Sequence, residues 1–270
     1  MGKSQKICAI FTAAIMLFTG SAWAQNGPGS QLSTGLSYSS KYGATSFVTL
    51  EGQDIFKSGI SARLNYRAGT EGHGAGLRLA KRFELGDRWP GLSPELTFAI
   101  YGKSADWDFQ SYAEKTQGFS VLYGADLSSQ LSFETELFFH RDELDNLSSG
   151  VSPLIAADAG RSDVLGAGID LSWSNRSGSG LLDKGTKLSF GIAATVSGTG
   201  NRGWHRFSAM LDSTHGFVGE SVVNFSLGTG VIRGQGSNGY VNILDRAFSG
   251  DGAPRGFAWG GAGPVAPGTD

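Results

Sequence analysis

Apolar and polar residues alternate with a period of two along almost the whole chain, and few folds tolerate that pattern at such length. In LGAGIDLSWS, Leu165, Ala167, Ile169, Leu171 and Trp173 share one face, while Gly166, Gly168, Asp170, Ser172 and Ser174 share the other. In QLSFETELFF, Leu131, Phe133, Leu137 and Phe139 oppose Ser132, Glu134 and Glu136. In GISARLNYR, Ile60, Ala62, Leu64 and Tyr66 oppose Ser61, Arg63, Asn65 and Arg67. KLSFGIAATV and VVNFSLGTGV repeat the scheme. Successive side chains of a strand point to opposite faces, so each segment reads as a strand with one apolar and one polar side.

The polar side decides the architecture. It carries Arg63, Arg67, Arg78, Glu134, Glu136 and Asp170, which are costly in a dry core and at home against water. A soluble secreted β-sandwich would need large hydrophobes on that face instead. The segments run about 9–11 residues, the length of a tilted strand crossing a bilayer. The expected fold is therefore all-β, an antiparallel transmembrane β-barrel with apolar residues outward and polar residues inward. Eleven strands are expected, near 32–39, 45–52, 59–67, 74–85, 93–103, 117–127, 130–140, 164–174, 186–197, 203–213 and 219–233. If residue 25 lies on the periplasmic side, the long connections 104–116 and 141–163 both fall outside, as long loops do in such barrels.

The N-terminus predicts the compartment. Lys3 and Lys6 precede a mostly apolar run from Ile7 to Phe18, and Ala22-Trp23-Ala24 forms a small-x-small cleavage site. Residues 1–24 thus read as a signal peptide, and residues 25–270 as the barrel domain. The single cysteine, Cys8, lies in the signal segment, so neither a disulfide nor a thiolate metal site is expected after cleavage. With 22 basic and 24 acidic residues, the chain offers no charge excess for nucleic acid. HRDELD, His140 to Asp145, reads as a solvated acidic outer loop. GTGNRG and GTEGHGAG lack the Lys-Ser/Thr ending of a phosphate loop and read as hairpin turns. No nucleophile-base-acid spacing recurs, so neither a catalytic residue nor a metal or other cofactor is expected.

After the eleventh strand the alternation fades into LDRAFSGDGAPRGFAWGGAGP. This stretch resembles the BamA/TamA (bacterial surface antigen) family of outer-membrane barrels, which carries a loop of the form DRFF-x-GG-x-x-x-(V/L)RGF-x-x-x-x-x-GP. Asp245, Arg246 and Phe248 match its start, and Gly250 and Gly252 its paired glycines. Arg255, Gly256 and Phe257 match the RGF core, and Gly263 and Pro264 its end. Upstream, LSWSNRSGSGLLDKGTKLSF is similar to a family hairpin. The resemblance implies a barrel of about sixteen strands, in which residues 234–270 form the sixth outer loop and fold back into the lumen. Arg255 would pair there with acidic and aromatic groups of the wall, its planar guanidinium making several charge-assisted bonds. Gly256 would allow close backbone approach, and Phe257 would act as an apolar plug.

Two departures accompany the resemblance. Pro254 replaces the aliphatic residue before the arginine and removes an N–H. The chain also reads as truncated after the sixth outer loop and as lacking periplasmic POTRA domains. Alone, it is expected to form a curled, incomplete sheet, inactive as a fragment unless a second chain supplies the missing strands. The implied function is insertion, assembly or translocation of outer-membrane proteins, which present strands to an open barrel edge by β-augmentation. The alternative is a POTRA-less surface antigen or pore with a structural role. The implied location is the bacterial outer membrane. The implied partners are its lipid and lipopolysaccharide, client outer-membrane proteins and a strand-supplying chain, and the implied activity is non-enzymatic.

Overall fold

The computed structural model of the chain describes residues 29–39, 43–55, 57–70, 72–84, 92–107, 112–176, 184–196, 202–216, 221–235 and 239–246. The signal segment 1–24 and the RGF part of the last loop lie outside the described residues. Eleven strands form one antiparallel sheet in simple sequence order. They are β1 (Ser30–Ser39), β2 (Gly43–Ile55), β3 (Ile60–Gly69), β4 (Gly72–Arg82), β5 (Glu95–Trp107), β6 (Tyr112–Asp126), β7 (Leu131–Asp145), β8 (Gly160–Ser174), β9 (Gly185–Thr195), β10 (Trp204–Gly216) and β11 (Val222–Gly234). A single helical turn, α1 (Pro153–Ala156), sits between β7 and β8, and a 3-10 turn, Ile243–Asp245, follows β11. The sheet is open, with β1 and β11 at its two margins.

All eleven expected strands are present, and their registers explain the alternation. Leu32, Leu50, Leu64, Leu77, Ile100, Phe119, Phe139 and Leu165 stand directly opposite one another across eight consecutive strands. The row forms one apolar band, tightened by rings such as Phe119 and Phe139, whose centroids lie 5.6 Å apart. Five of its eight members are exposed, Ile100 at 43% and Phe119 at 44%, while Leu50, Leu77 and Phe139 are half-buried. Hydrophobes this exposed, in a contiguous row, suit lipid rather than water. The other face carries the charges. Arg63 pairs with Glu51 at 3.1 Å, and Arg82 with Glu95 at 3.6 Å. Glu134 stands directly opposite Asp170.

The strands extend further at one end than alternation alone suggests. β5 reaches Trp107, β6 begins at Tyr112, β7 runs to Asp145 and β8 starts at Gly160. Much of the two expected long loops is therefore ladder, and HRDELD is the end of β7 rather than a free loop. Cross-strand pairs of polar side chains carry the ladder on: Lys103 to Glu114 at 3.0 Å, Lys115 to Asp145 at 2.7 Å, and Arg141 to Asp163 through two bonds of 2.6 and 2.7 Å. Such pairs support strands outside the hydrocarbon, where alternation of apolar with polar residues is no longer needed. β2 ends at Ile55, and residues 57–59 lead into β3. Asp54 adopts a left-handed φ of 50°, and its carboxylate accepts the Gly59 N–H at 2.6 Å.

The face assignment makes a direct prediction. Leu137→Arg, one step further into the apolar side than Phe139 on the same face, is expected to lower stability by about 2–4 kcal/mol in a bilayer. Ser172→Arg, on the inner face near Asp170, is expected to change it by no more than about 1 kcal/mol. Urea unfolding in lipid vesicles measures both, and a larger cost at Ser172 would reverse the faces.

Candidate functional site

At the extended end of the sheet, the inner face gathers a buried polar junction around Arg202. This residue sits in the β9–β10 hairpin, two positions before Trp204 begins β10. It is 3% exposed. Its Nε donates to Asp245 Oδ2 at 2.8 Å, and its Nη2 donates to Asp245 Oδ1 at 2.5 Å. Its Nη1 donates to Ser162 Oγ at 3.0 Å and to Asp142 Oδ2. Asp142, on β7 and 4% exposed, also accepts from Thr116 Oγ1 at 2.5 Å on β6, and His140 Nε2 lies 3.3 Å from its Oδ2. One guanidinium thus ties β7, β8 and the β9–β10 hairpin to the segment after β11. Burial works against its charge, but the hydrogen bonds and charges of Asp245 and Asp142 outweigh burial and hold its pKa above the ordinary arginine value.

The local sequence makes room for this junction. Gly118 stands opposite His140, and a side chain there would collide with the His140 Cβ at 2.8 Å. Gly166 stands opposite Phe138, and a Cβ there would collide with the Phe138 ring. The two glycines therefore let Phe138 and His140 turn inward, where their rings stack 5.7 Å apart. Phe138 also stacks on Trp204 at 6.2 Å, beside the buried Val164 and Ala193.

The segment after β11 is held by a second set of contacts. Asp158, in the β7–β8 connection, accepts from the Tyr240 hydroxyl at 2.7 Å and from the Ile243 N–H at 2.8 Å through the same Oδ2. Asn242 caps the 3-10 turn by accepting from the Leu244 N–H at 3.0 Å. Arg246 donates to the Val241 carbonyl at 2.9 Å, and its guanidinium lies 5.3 Å from the Tyr240 ring centroid. Ile243 completes an apolar cluster with Ala105, Tyr112 and Leu144. Burial, then the Asp158 hydrogen bond and charge, push the Tyr240 hydroxyl above the usual tyrosine range.

Of the residues singled out by the loop motif, the structure places two. Asp245 is the principal partner of Arg202, and Arg246 folds back on its own segment. Phe248, Gly250, Gly252, Arg255, Gly256, Phe257, Gly263 and Pro264 lie outside the described residues. Sequence reasoning missed Arg202, Asp158 and Tyr240, and it read Asp142 as solvated, whereas it is buried. Among the described residues, no group of three or more His, Cys, Asp and Glu converges as a metal site. Ser213 Oγ and His215 Nε2 meet at 2.7 Å, but Thr186 Oγ1 occupies the serine at 2.8 Å. No hydrogen bond joins a carboxylate to that histidine among the described residues. The junction holds the segment after β11 against β7, β8 and the β9–β10 hairpin.

An open antiparallel sheet with an apolar belt, a charged inner face and an inwardly tied segment after its eleventh strand defines an outer-membrane-type β-barrel protein. The Omp85 superfamily domain matches residues 25–270, and the chain belongs to that superfamily, whose members are outer-membrane proteins. Its fold is similar to the crystal structure of BamA from Haemophilus ducreyi lacking POTRA domains 1–3. The TM-score is 0.73 at 18% identity, over 88% of this chain and 48% of that one. The chain spans about half the length of that structure. None of the curated proteins matches it.

Two outcomes follow for the junction. Arg202→Ala leaves two carboxylates buried without their counter-charge, and a loss of about 3–5 kcal/mol is expected in the stability of the tied segment. Trypsin cleavage after Arg246 measures it. Arg202→Lys should recover little, because an ammonium cannot span Asp245 in two-point fashion. Unchanged protection in both variants would remove Arg202 from its role. Tyr240 supplies the pH test. Its raised pKa means that its contribution is complete below about pH 10 and is lost as pH rises through the folded value. The late, high-pH part of the tyrosinate absorbance titration should shrink by one tyrosine in Tyr240→Phe.

Proposed function

We propose that this chain forms part of the barrel of an outer-membrane machine that inserts or translocates other outer-membrane proteins. In this reading residues 25–270 are barrel, residues 1–24 direct export, and the segment from residue 234 folds into the lumen, with Arg255, Gly256 and Phe257 at its tip. Membership of the Omp85 superfamily across residues 25–270 carries the proposal. The margin position of β1 supports the mechanism. Its Leu32, Leu36 and Tyr38 are 64, 87 and 82% exposed, and one backbone edge faces away from β2. An unpaired edge in lipid leaves N–H and C=O groups that a client strand can satisfy. The work is templating, and the chain's own groups need supply no bond chemistry.

The tied segment gives the edge its shape. With Asp245 held on Arg202 and Tyr240 on Asp158, the strands on the β7 side are fixed to the β11 side from within. The β1 margin is then the part of the sheet free to adjust to incoming strands. Client proteins and membrane lipid are the partners in this reading.

A photo-activated crosslinking residue at Ser33 or Ser37 of β1 tests it in cells. Adducts with newly exported barrel proteins are expected from β1 and not from Thr135 in the middle of the sheet. Adducts from neither site would favour a structural surface antigen or pore instead.

A further inference from the structure

We infer that the outward face of β4–β8, just beyond the apolar band, is a binding site for the phosphate-bearing headgroup of an outer-leaflet glycolipid. This inference rests on the proposed orientation, in which the extended strand ends face outside. The registers define the site. The row Leu77, Ile100, Phe119, Phe139 and Leu165 belongs to the lipid-facing band. One step outward, on the same face, the row reads Ala75, Gly102, Gln117, Arg141 and Asp163. One further step reads His73, Ser104, Lys115, Glu143 and Arg161. The change from wholly apolar to charged takes place across about 7 Å, the rise of two strand residues. That is the span over which a bilayer passes from acyl chain to headgroup.

The middle of these rows is hollow. Ala75 and Gly102 offer almost no side chain, and Tyr66 rises beside them as the cross-strand neighbour of Ala75. A cavity of about 330 Å³ results, with His73, Lys115, Gln117, Arg141 and Arg161 also on its walls. Lys115, Arg141 and Arg161 come from three successive strands, and Arg161 is exposed, with no ion pair among the described residues. Arg141 gives Nε and Nη2 to Asp163, which holds its guanidinium in one orientation and leaves Nη1 for a ligand. Lys115 is 52% exposed despite its bond to Asp145.

The acids decide which ligand fits. Glu143 lines the cavity, and Asp145 and Asp163 stand at its edge, so the cations are nearly balanced. A free anion would gain little there. An amphiphile gains twice, because its acyl chains cover Ile100 and Phe119 while its phosphate meets Arg141, Arg161 and Lys115. Tyr66 and Gln117 supply a flat ring face and an amide, the groups that suit a sugar. A glycolipid phosphate uses all of these groups at once.

Gly102 is the natural place for a probe, since a Cβ there meets nothing nearer than the Thr116 carbonyl at 3.8 Å. The test places a photo-crosslinking side chain at Gly102 of the full chain in the outer membrane of intact cells. Mass analysis of the adducts should find phosphorylated glycolipid. The same probe at inner-facing Tyr101, or at outward-facing Tyr123 near the opposite end, should find none. Lys115→Gln with Arg161→Gln should lower the Gly102 adduct about tenfold, through loss of two charge-assisted bonds. Glycerophospholipid in its place, no lipid adduct, or an adduct unchanged by the double substitution would each overturn the inference. Client adducts at β1 are scored separately, so loss of the assembly reading leaves this result interpretable.

Discussion

In a hydrocarbon medium no water is present to satisfy a backbone amide, so each N–H and C=O of a spanning strand must find another strand. Everything else in this molecule follows from that pairing. Once β5 to β9 are locked in register, every side chain is committed to lipid or to the interior, and a slip by one residue would exchange the two sets. The continuous row from Leu32 to Leu165 is the visible result. The same commitment lets the inner face carry Arg63, Glu134 and Asp170 without burying them in oil. Glycine has a specific use here: at Gly118 and Gly166 it gives Phe138 and His140 the inward space that a fixed register would otherwise deny.

The junction at Arg202 depends on the ladder in turn. A buried ion pair gains little unless its remaining donors are satisfied, because removing two charges from water is expensive. Arg202 meets that condition with four bonds to Asp245, Asp142 and Ser162. Its fork reaches groups on three parts of the fold that lie far apart in sequence, which a flexible ammonium could not do with the same definition. Asp158 does the complementary work on the other side of the 3-10 turn, one oxygen accepting both a hydroxyl and a backbone amide. The segment after β11 is therefore defined by charge and hydrogen bonding at two points, with Ile243 filling the apolar space between.

The strands were legible because their signal is local. Period-two alternation is written into each segment, and all eleven lie where it places them. Strand ends on the extended side of the sheet were less legible: beyond the apolar band both faces are polar, and the pairing of Lys115 with Asp145 or Arg141 with Asp163 is invisible without the register. The junction was harder still. Arg202 sits in a glycine-rich turn that looks solvated, and its partners Asp142 and Asp245 are 60 and 43 residues away. The loop motif did single out Asp245, but for its place beside the RGF core and not as the partner of an arginine in another hairpin. Asp158 and Tyr240, 82 residues apart, carried no signal at all.

The inner junction and the outer cavity share one height on the sheet, and this follows from alternation itself. Asp142 faces inward to Arg202, and Arg141 and Glu143 on either side of it face outward. Thr116 faces inward to Asp142, and Lys115 and Gln117 face outward. β6 and β7 thus present, on consecutive residues, the groups that tie the chain from within and those that meet the headgroup layer from without. A paired ladder is stiff across its width, so the side chains on both faces are positioned by the same backbone bonds. The level at which the molecule sits in the membrane and the level at which its internal segment is held are accordingly a single structural quantity, set by where the apolar row ends.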